Sequence, residues 1–273
     1  MERAQPVGVF DSGVGGLTVV KEIIKRLPCE NIIYIGDTAN VPYGGKPPQE
    51  LIRLGKNIID FLINQGAKAV VAACNTSSSV SIPILRDMCP VPVIDVIVPG
   101  AANAAAVTRN GRVGVIATEA TVKTGAYTRH IKALSPGISV YEVACPRFVP
   151  LVEQGVLEGD EVEEVANEYL QPLRRQGIDT LVIGCTHYPF LIPVIQKVMG
   201  KGVRLVDPAE ETASRLRATL LERGLDNPGT TSPQYRFFAT GSSESFFRVG
   251  KLLPEIDIRK VTTLKLERGI WEG

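Results

Sequence analysis

Histidine is scarce in this sequence, and no two cysteines have the spacing that metal sites use. The 273 residues include only two histidines, His130 and His187, and the five cysteines contain no CxxC motif. A tetrahedral zinc site takes four ligands, mainly from histidine and cysteine, so a zinc-dependent function is disfavoured. The odd number of cysteines in a chain of this length also argues against a disulfide framework. The sequence therefore predicts free thiols and no metal ion.

Excess charge and long apolar runs are absent as well. Lysine and arginine total 30 against 29 acidic residues, which leaves a net charge of +1. Proteins that bind nucleic acid usually carry a basic surface, and no basic run is present here. The amino terminus MERAQPVGVFDSG has no apolar signal segment, and Asp95 and Pro99 interrupt the weakly polar stretch 91–107. We expect a cytoplasmic protein that binds neither nucleic acid nor membrane.

Short apolar runs alternate with helix-period segments along the chain. Residues 7–10, 32–35 and 70–74 are rich in valine, isoleucine and alanine, as buried strands are. Between the last two, residues 49–65 place leucine, isoleucine and phenylalanine on one helical stripe, preceded by two prolines and closed by Gly66. This order predicts an α/β fold with mostly parallel sheets flanked by helices.

The pattern restarts in the middle of the chain. The segment VGVIATEATVKTG, from Val113, repeats the opening and the apolar spacing of VGVFDSGVGGLTV, from Val7. Such a repeat predicts an internal duplication of one α/β unit. Because no linker separates the halves, we expect the C-terminal segment to rejoin the first domain. The predicted domains are residues 1–97 plus 208–273, and residues 98–207.

Two cysteines occupy equivalent places in the two halves. Cys74 ends the apolar run AVVAAC and precedes Asn75 and Thr76, while Cys185 ends TLVIGC and precedes Thr186. A parallel strand delivers such a residue to its carboxyl end, where open α/β sheets bind ligands. A nearby helix N-terminus favours the thiolate form. A small buried side chain is the alternative for any single cysteine, and we adopt it for the remaining three, Cys29, Cys89 and Cys145.

A glycine-rich turn follows the first predicted strand. Asp11 and Ser12 precede three glycines at positions 13, 15 and 16. Glycines before a helix N-terminus allow an anion to approach the backbone closely. A tight turn in which Asp11 or Ser12 caps the helix is equally typical of this pattern.

Other polar residues have both a functional and a structural interpretation. His187 is two residues from Cys185 and is placed to hold its proton balance, although a core histidine fits the same position. Tyr43 and Gly44, beyond the second strand, either close a pocket or form a surface turn. Glu153 either lines the crevice or belongs to a solvated helix face.

Taken together, these motifs resemble those of the glutamate racemases, the cofactor-independent enzymes of bacterial cell-wall synthesis. The order and spacing of the matching strings make the resemblance specific, and it covers nearly the whole chain. The strings are GVFDSGVGGLTV at 8–19, IGDTANVPYG at 35–44, ACNTSS at 73–78, GCTHYP at 184–189, VDPAEETA at 206–213 and FFATGSSESF at 237–246. The final segment ERGIWEG, residues 267–273, falls outside the resemblance.

The resemblance implies a fold of two pseudo-symmetric α/β domains with the active site between them, an activity and a set of site residues. It implies interconversion of L-glutamate and D-glutamate without a cofactor, supplying D-glutamate for peptidoglycan, by a cytoplasmic homodimer. Cys74 and Cys185 would be the two acid/base residues, assisted by Asp11, His187 and Glu153. The residues implied in binding the amino acid are Asp11, Ser12, Pro42, Tyr43, Gly44, Asn75, Thr76, Thr186 and His187.

Four other functions compete with this interpretation. Aspartate racemase uses the same two-thiol chemistry on a shorter side chain. A non-catalytic amino-acid-binding module would bind glutamate without exchanging its α-hydrogen. A cysteine hydrolase needs one nucleophile and no matched second thiol. A nucleotide-binding protein would depend on the glycine-rich turn alone, which lacks the GxGxxG fingerprint.

Overall fold

The computed structural model describes residues 3–267 and 270–272, with the backbone alone for 265–267 and 270–272. Arg268, Gly269 and Gly273 of the C-terminal extension lie outside the described residues. The chain divides into two compact units. The first contains the described residues up to Val96 together with those from Ala209 onward, and the second is Ile97–Pro208.

The amino-terminal part of the first unit alternates strands and helices. Strands β1 and β2 are buried at every position, as expected for apolar strands covered on both faces. The elements are β1 (Val7–Asp11), α1 (Leu17–Arg26), β2 (Ile32–Gly36), α2 (Pro48–Asn64), β3 (Ala69–Ala72), α3 (Asn75–Val80), α4 (Ile82–Leu85), a short 3-10 helix (Arg86–Met88) and β4 (Val93–Asp95).

The second unit continues the alternation. Its elements are α5 (Ile97–Val107), β5 (Arg112–Ala117), α6 (Glu119–Thr124), α7 (Ala126–Leu134), β6 (Ser139–Ala144), α8 (Phe148–Gln154), α9 (Asp160–Arg175), β7 (Thr180–Gly184), a 3-10 helix (Tyr188–Leu191), α10 (Ile192–Met199) and β8 (Arg204–Val206).

The C-terminal segment returns to the first unit and extends its sheet. It comprises α11 (Pro208–Glu222), β9 (Tyr235–Ala239), α12 (Glu244–Gly250), β10 (Val261–Thr263), β11 (Lys265–Glu267) and β12 (Ile270–Glu272). Strand β9 pairs in parallel with β2, and β10 pairs in parallel with β9. Strands β11 and β12 form a separate antiparallel pair.

The two larger sheets are parallel throughout, and four neighbouring strands of the first have the same order as the four strands of the second. The first runs β10-β9-β2-β1-β3-β4 and the second runs β6-β5-β7-β8. In each, the strand that opens with VGV is flanked by the next two strands of its own unit, as an internal duplication predicts. The predicted α/β class with parallel sheets and flanking helices is confirmed.

One predicted helix differs from the structure. The pattern of residues 79–88 predicts one helix over about that span, whereas α3 begins at Asn75, directly after Cys74, and ends at Val80. The chain then restarts as α4, with Pro83 in its first turn. Because proline has no N–H to donate, it cannot continue a helical hydrogen-bond ladder from the preceding turn. The early start was hard to predict because asparagine, threonine and serine are weak helix formers.

None of the helices in the described part of the chain combines the length and the apolar character needed to span a bilayer.

Candidate active site

Both matched cysteines lie at the carboxyl edge of their own sheet. Cys74 follows β3 and is the N-cap residue of α3, where backbone N–H groups favour a negative charge. Cys185 follows β7 directly and precedes the turn into a 3-10 helix. The side chains are almost fully buried, with relative exposures of 4% for Cys74 and 6% for Cys185. The predicted strand-end positions are therefore observed for both thiols.

The Asp11 carboxylate organises the glycine-rich turn of the first unit. Asp11 is buried, and its Oδ2 accepts hydrogen bonds from the N–H groups of Gly13 and Gly16, each at 3.1 Å. A Cβ at Gly16 would lie 2.6 Å from the Asp11 Cβ and 3.1 Å from that of Ala73, so only glycine fits there. Asp11 thus closes the tight turn, but it does not cap α1, whose N-cap residue Gly16 has no side-chain cap hydrogen bond. The turn fixes the carboxylate on the strand next to β3, which leads to Cys74.

The segment after β2 contributes Tyr43 to the same edge. The Tyr43 ring is buried and packs in a cluster with Leu51, Leu54 and Cys74. Its hydroxyl donates to Oδ2 of Asp37 at 2.5 Å. Burial raises the pKa of the Tyr43 hydroxyl well above its usual value of 10.0, and the charge of Asp37 and the hydrogen bond to it raise it further. Tyr43 therefore remains a protonated donor.

The neighbours of Tyr43 and Cys74 in the predicted binding set differ in exposure. Ser12, Asn75 and Thr76 are buried at the carboxyl edge of the first sheet. Gly44 is half-buried, whereas Pro42 is exposed. The surface-turn interpretation thus fits Pro42 and does not fit Tyr43.

The second unit brings His187 and Glu153 together. The His187 ring is buried, and its Nε2 lies 2.7 Å from Oε1 of Glu153 on α8. A carboxylate acceptor keeps a proton on Nε2, which leaves Nδ1 as the nitrogen able to exchange one. Thr186, which lies between Cys185 and His187 in the sequence, is buried. Glu153 is therefore a partner of His187 and not merely a residue on a solvated helix face.

Cys145 and Tyr188 form the apolar wall beside Cys185. The buried Tyr188 hydroxyl donates to the Cys145 carbonyl oxygen at 2.8 Å, and its ring packs edge-on against Phe148. Burial raises the pKa of the Cys145 thiol well above its usual value of 9.0, and the nearby Cys185 adds to the rise. Cys145 is the small buried side chain that the sequence predicted.

The same prediction is wrong for Cys29 and Cys89, which are half-buried. No group of three or more histidine, cysteine or acidic side chains in the described ranges is arranged to hold a metal ion.

Sequence reasoning missed two polar features at these strand ends. Asp37 directly follows β2, and Thr118 follows β5 as the N-cap of α6, with its hydroxyl 3.1 Å from that of Thr121. A signal for Thr118 was present, because the repeat aligns VGVIAT with VGVFDS and so places Thr118 opposite Ser12. Asp37 had no such signal, since its contact with Thr240 spans 203 positions of the chain.

The fold and these strand ends define a class of protein. It is an α/β protein with two parallel sheets of shared strand order, each carrying a cysteine beside a polar residue able to hold a proton. The chain belongs to the Asp/Glu/hydantoin racemase family, whose pattern matches residues 18–216.

Similar proteins of known name are glutamate racemases. The chain is 52% identical to the glutamate racemase of Desulforudis audaxviator over 88% of this chain and 90% of that protein. A crystal structure of a glutamate racemase isoform from Bacillus anthracis superposes with a TM-score of 0.92 at 36% identity, covering 98% of this chain and 100% of that one. The Francisella tularensis glutamate racemase, solved in complex with D-glutamate, gives 0.89 at 38% identity, with coverages of 96% and 97%.

Aspartate racemases are more distant. The enzyme of Picrophilus torridus is 18% identical over 82% of this chain and 99% of that one, with a TM-score of 0.55, a likeness that concerns the fold alone.

Proposed function

We propose that this protein is a racemase that interconverts L-glutamate and D-glutamate, using Cys74 and Cys185 as its two acid/base groups. The observation that carries the proposal is the placement of both thiols at the carboxyl ends of equivalent strands, in sheets of the same order. Membership of a racemase family and the glutamate racemases among its relatives support the choice of reaction and substrate. The aspartate alternative is not favoured, because aspartate racemases share only the fold.

The proposed reaction is a direct proton transfer at Cα. One cysteine, as thiolate, takes the α-proton, so that a Cα–H bond breaks and an S–H bond forms. The other cysteine, as thiol, gives its proton to the opposite face of the carbanion. The enzyme is left with the two protonation states exchanged, which is the form required for the reverse reaction. Two groups are needed because a single base would return the proton to the face it came from.

The thiols alone do not supply enough rate acceleration. A positioned acid or base contributes roughly 10²- to 10⁴-fold, or about 3–5 kcal/mol. The rest of the barrier reduction must come from a dry site whose donors strengthen as charge develops on the substrate carboxylate. We assign this binding role to the polar residues at the two sheet edges, and proton assistance to Asp11 for Cys74 and to His187 for Cys185. Thr118 and Thr121 join the second edge as further donors.

The direct test is incubation with L-glutamate in deuterium oxide without added cofactor. We expect loss of the Cα–H signal in the proton NMR spectrum together with decay of the optical rotation towards zero. A non-catalytic amino-acid-binding module would bind glutamate but exchange no α-hydrogen. Parallel incubation with L-aspartate reports on the shorter substrate, for which we expect far slower exchange. The dimeric state, the cytoplasmic location and the supply of D-glutamate to peptidoglycan stay predictions.

The His187–Glu153 pair gives a prediction of its own. We expect Glu153→Gln to lower kcat by about 10-fold, because the His187 ring loses the carboxylate that orients it. We expect His187→Asn to lower kcat by about 100-fold, because this variant lacks the nitrogen that exchanges a proton. Steady-state racemisation rates in both directions measure the effect. The double variant should be little worse than His187→Asn alone, since groups that act as a unit are not additive.

Glu158→Gln is the matched control, because this exposed residue lies close to Glu153 in the sequence. Equal losses of activity in the Glu158 and Glu153 variants, or additive losses in the double variant, would contradict the pair's assigned role.

A further inference from the structure

The buried Asp37 carboxylate joins two segments that are far apart in sequence. Its Oδ1 accepts from the Thr240 hydroxyl at 2.5 Å, and its Oδ2 accepts from the Tyr43 hydroxyl at 2.5 Å. The side-chain amide of Asn40 donates to both oxygens, at 2.9 and 3.1 Å. An ionised carboxylate only accepts hydrogen bonds, and here each oxygen has two donors. Asp37 is therefore an anchor, and it has little capacity left for contact with a substrate.

The C-terminal segment holds this anchor from the other side. The Thr240 hydroxyl also accepts the N–H of Ala39 at 3.1 Å, and the N–H of Gly241 donates to the Thr38 hydroxyl at 3.0 Å. A Cβ at Gly241 would lie 2.9 Å from the backbone nitrogen of Ala39, so a larger residue would push the two segments apart. These contacts give a role to Thr240 and Gly241 of the C-terminal motif.

We propose that Asp37 and Thr240 are positioning residues that hold the Tyr43 ring against Cys74 and so fix the loop 42–44 for substrate binding. The loop's part in binding rests on the proposed function, whereas the support of Tyr43 beside Cys74 does not. The chain of contacts runs from Thr240 to Asp37 and from Asp37 to Tyr43, whose ring lies in the same buried cluster as Cys74. Burial and the charge of Asp37 raise the pKa of Tyr43, which keeps its proton available for the central bond.

The test replaces Thr240 by valine, which keeps the shape and removes the hydroxyl. Loss of a hydrogen bond to a charged group is expected to weaken the interaction roughly 10-fold or more. We expect Thr240→Val to raise KM for glutamate about 10-fold while kcat changes less than about 3-fold. Thr240→Ser, which retains the hydroxyl, should restore KM. Ser242→Ala in the same segment is the matched control, since its exposed hydroxyl bonds only locally, to the Glu244 N–H.

A double variant tests whether the effect passes through Tyr43. In a Tyr43→Phe background the link to Asp37 is already broken, so Thr240→Val should change KM less than about 2-fold further. A merely structural role predicts instead that Thr240→Val lowers kcat in proportion to the folded fraction and leaves KM unchanged. That result, or a Thr240→Ser variant as impaired as Thr240→Val, overturns the proposal.

A chemical readout separates this proposal from the racemase assignment. Alkylation of individual cysteines by iodoacetamide is followed by peptide mass spectrometry on the intact protein. Because Cys74 is only 4% exposed, loosening Tyr43 should speed its alkylation at least about 3-fold, with the rate at Cys89 unchanged. An unchanged rate at Cys74 overturns the positioning role even if glutamate is racemised. A faster rate in a protein that does not racemise glutamate would keep the positioning role and refute the assigned reaction.

Discussion

Replacing either Cys74 or Cys185 by alanine is expected to lower glutamate racemisation by on the order of 10³-fold or more in both directions. Each turnover uses one thiol to remove the α-proton and the other to replace it, so loss of either interrupts the cycle. The measurement is optical rotation with L-glutamate and, separately, with D-glutamate as the starting enantiomer.

An elimination substrate divides the reaction into halves. Loss of chloride from a β-chloro amino acid needs only removal of the α-proton: the Cα–H electrons form the new double bond as chloride leaves Cβ. We expect each alanine variant to retain this elimination with one enantiomer and to lose it with the other, in opposite senses. Cys89→Ala is the control and should racemise normally. Near wild-type racemisation by a variant lacking Cys74 or Cys185 would end the two-thiol assignment.

The second large effect concerns stability. Replacing Lys68 by methionine is expected to lower the free energy of unfolding by about 3–5 kcal/mol. Lys68 and Glu30 form a buried ion pair of 2.5 Å, with side-chain exposures of 0% and 2%. Lys68 Nζ also donates to the Arg3 carbonyl, and Glu30 accepts from the Asn227 N–H. Removing the ammonium leaves a buried carboxylate without its counter-charge. Urea denaturation of the variant and the parent measures the difference.

An exposed ion pair provides the matched control. Lys56 and Asp60 lie 2.5 Å apart, but their side chains are 53% and 55% exposed. Lys56→Met should therefore cost no more than about 0.5 kcal/mol. Adding Glu30→Gln to Lys68→Met should recover part of the lost stability, because the stranded charge is gone. Equal costs for Lys56→Met and Lys68→Met would show that the buried pair has no special role. Lys68 precedes β3, at the sheet edge opposite Cys74, so its variant should keep its activity below the unfolding transition.

Local sequence patterns predicted most of the architecture. Apolar runs bounded by glycine and proline located the strands, and their alternation with helical stripes predicted parallel sheets. The repeat of the VGV opening predicted two halves, and the run-ending positions of Cys74 and Cys185 predicted thiols at strand ends. The predicted parallel strands and flanking helices are confirmed because strand burial and side-chain period are set by residues that are neighbours in sequence.

The sequence by itself determined the class of fold, the two thiols and the residues beside them in each motif. Only the tertiary structure decided which distant groups support them. The Glu153 contact with His187 joins α8 to the end of β7, and Asp37 meets Thr240 across 203 positions. Such pairs depend on how strands are ordered and how the C-terminal segment returns to the first sheet. A hydrogen bond forms where the fold brings donor and acceptor together, and the spacing of the two residues along the chain does not predict that contact.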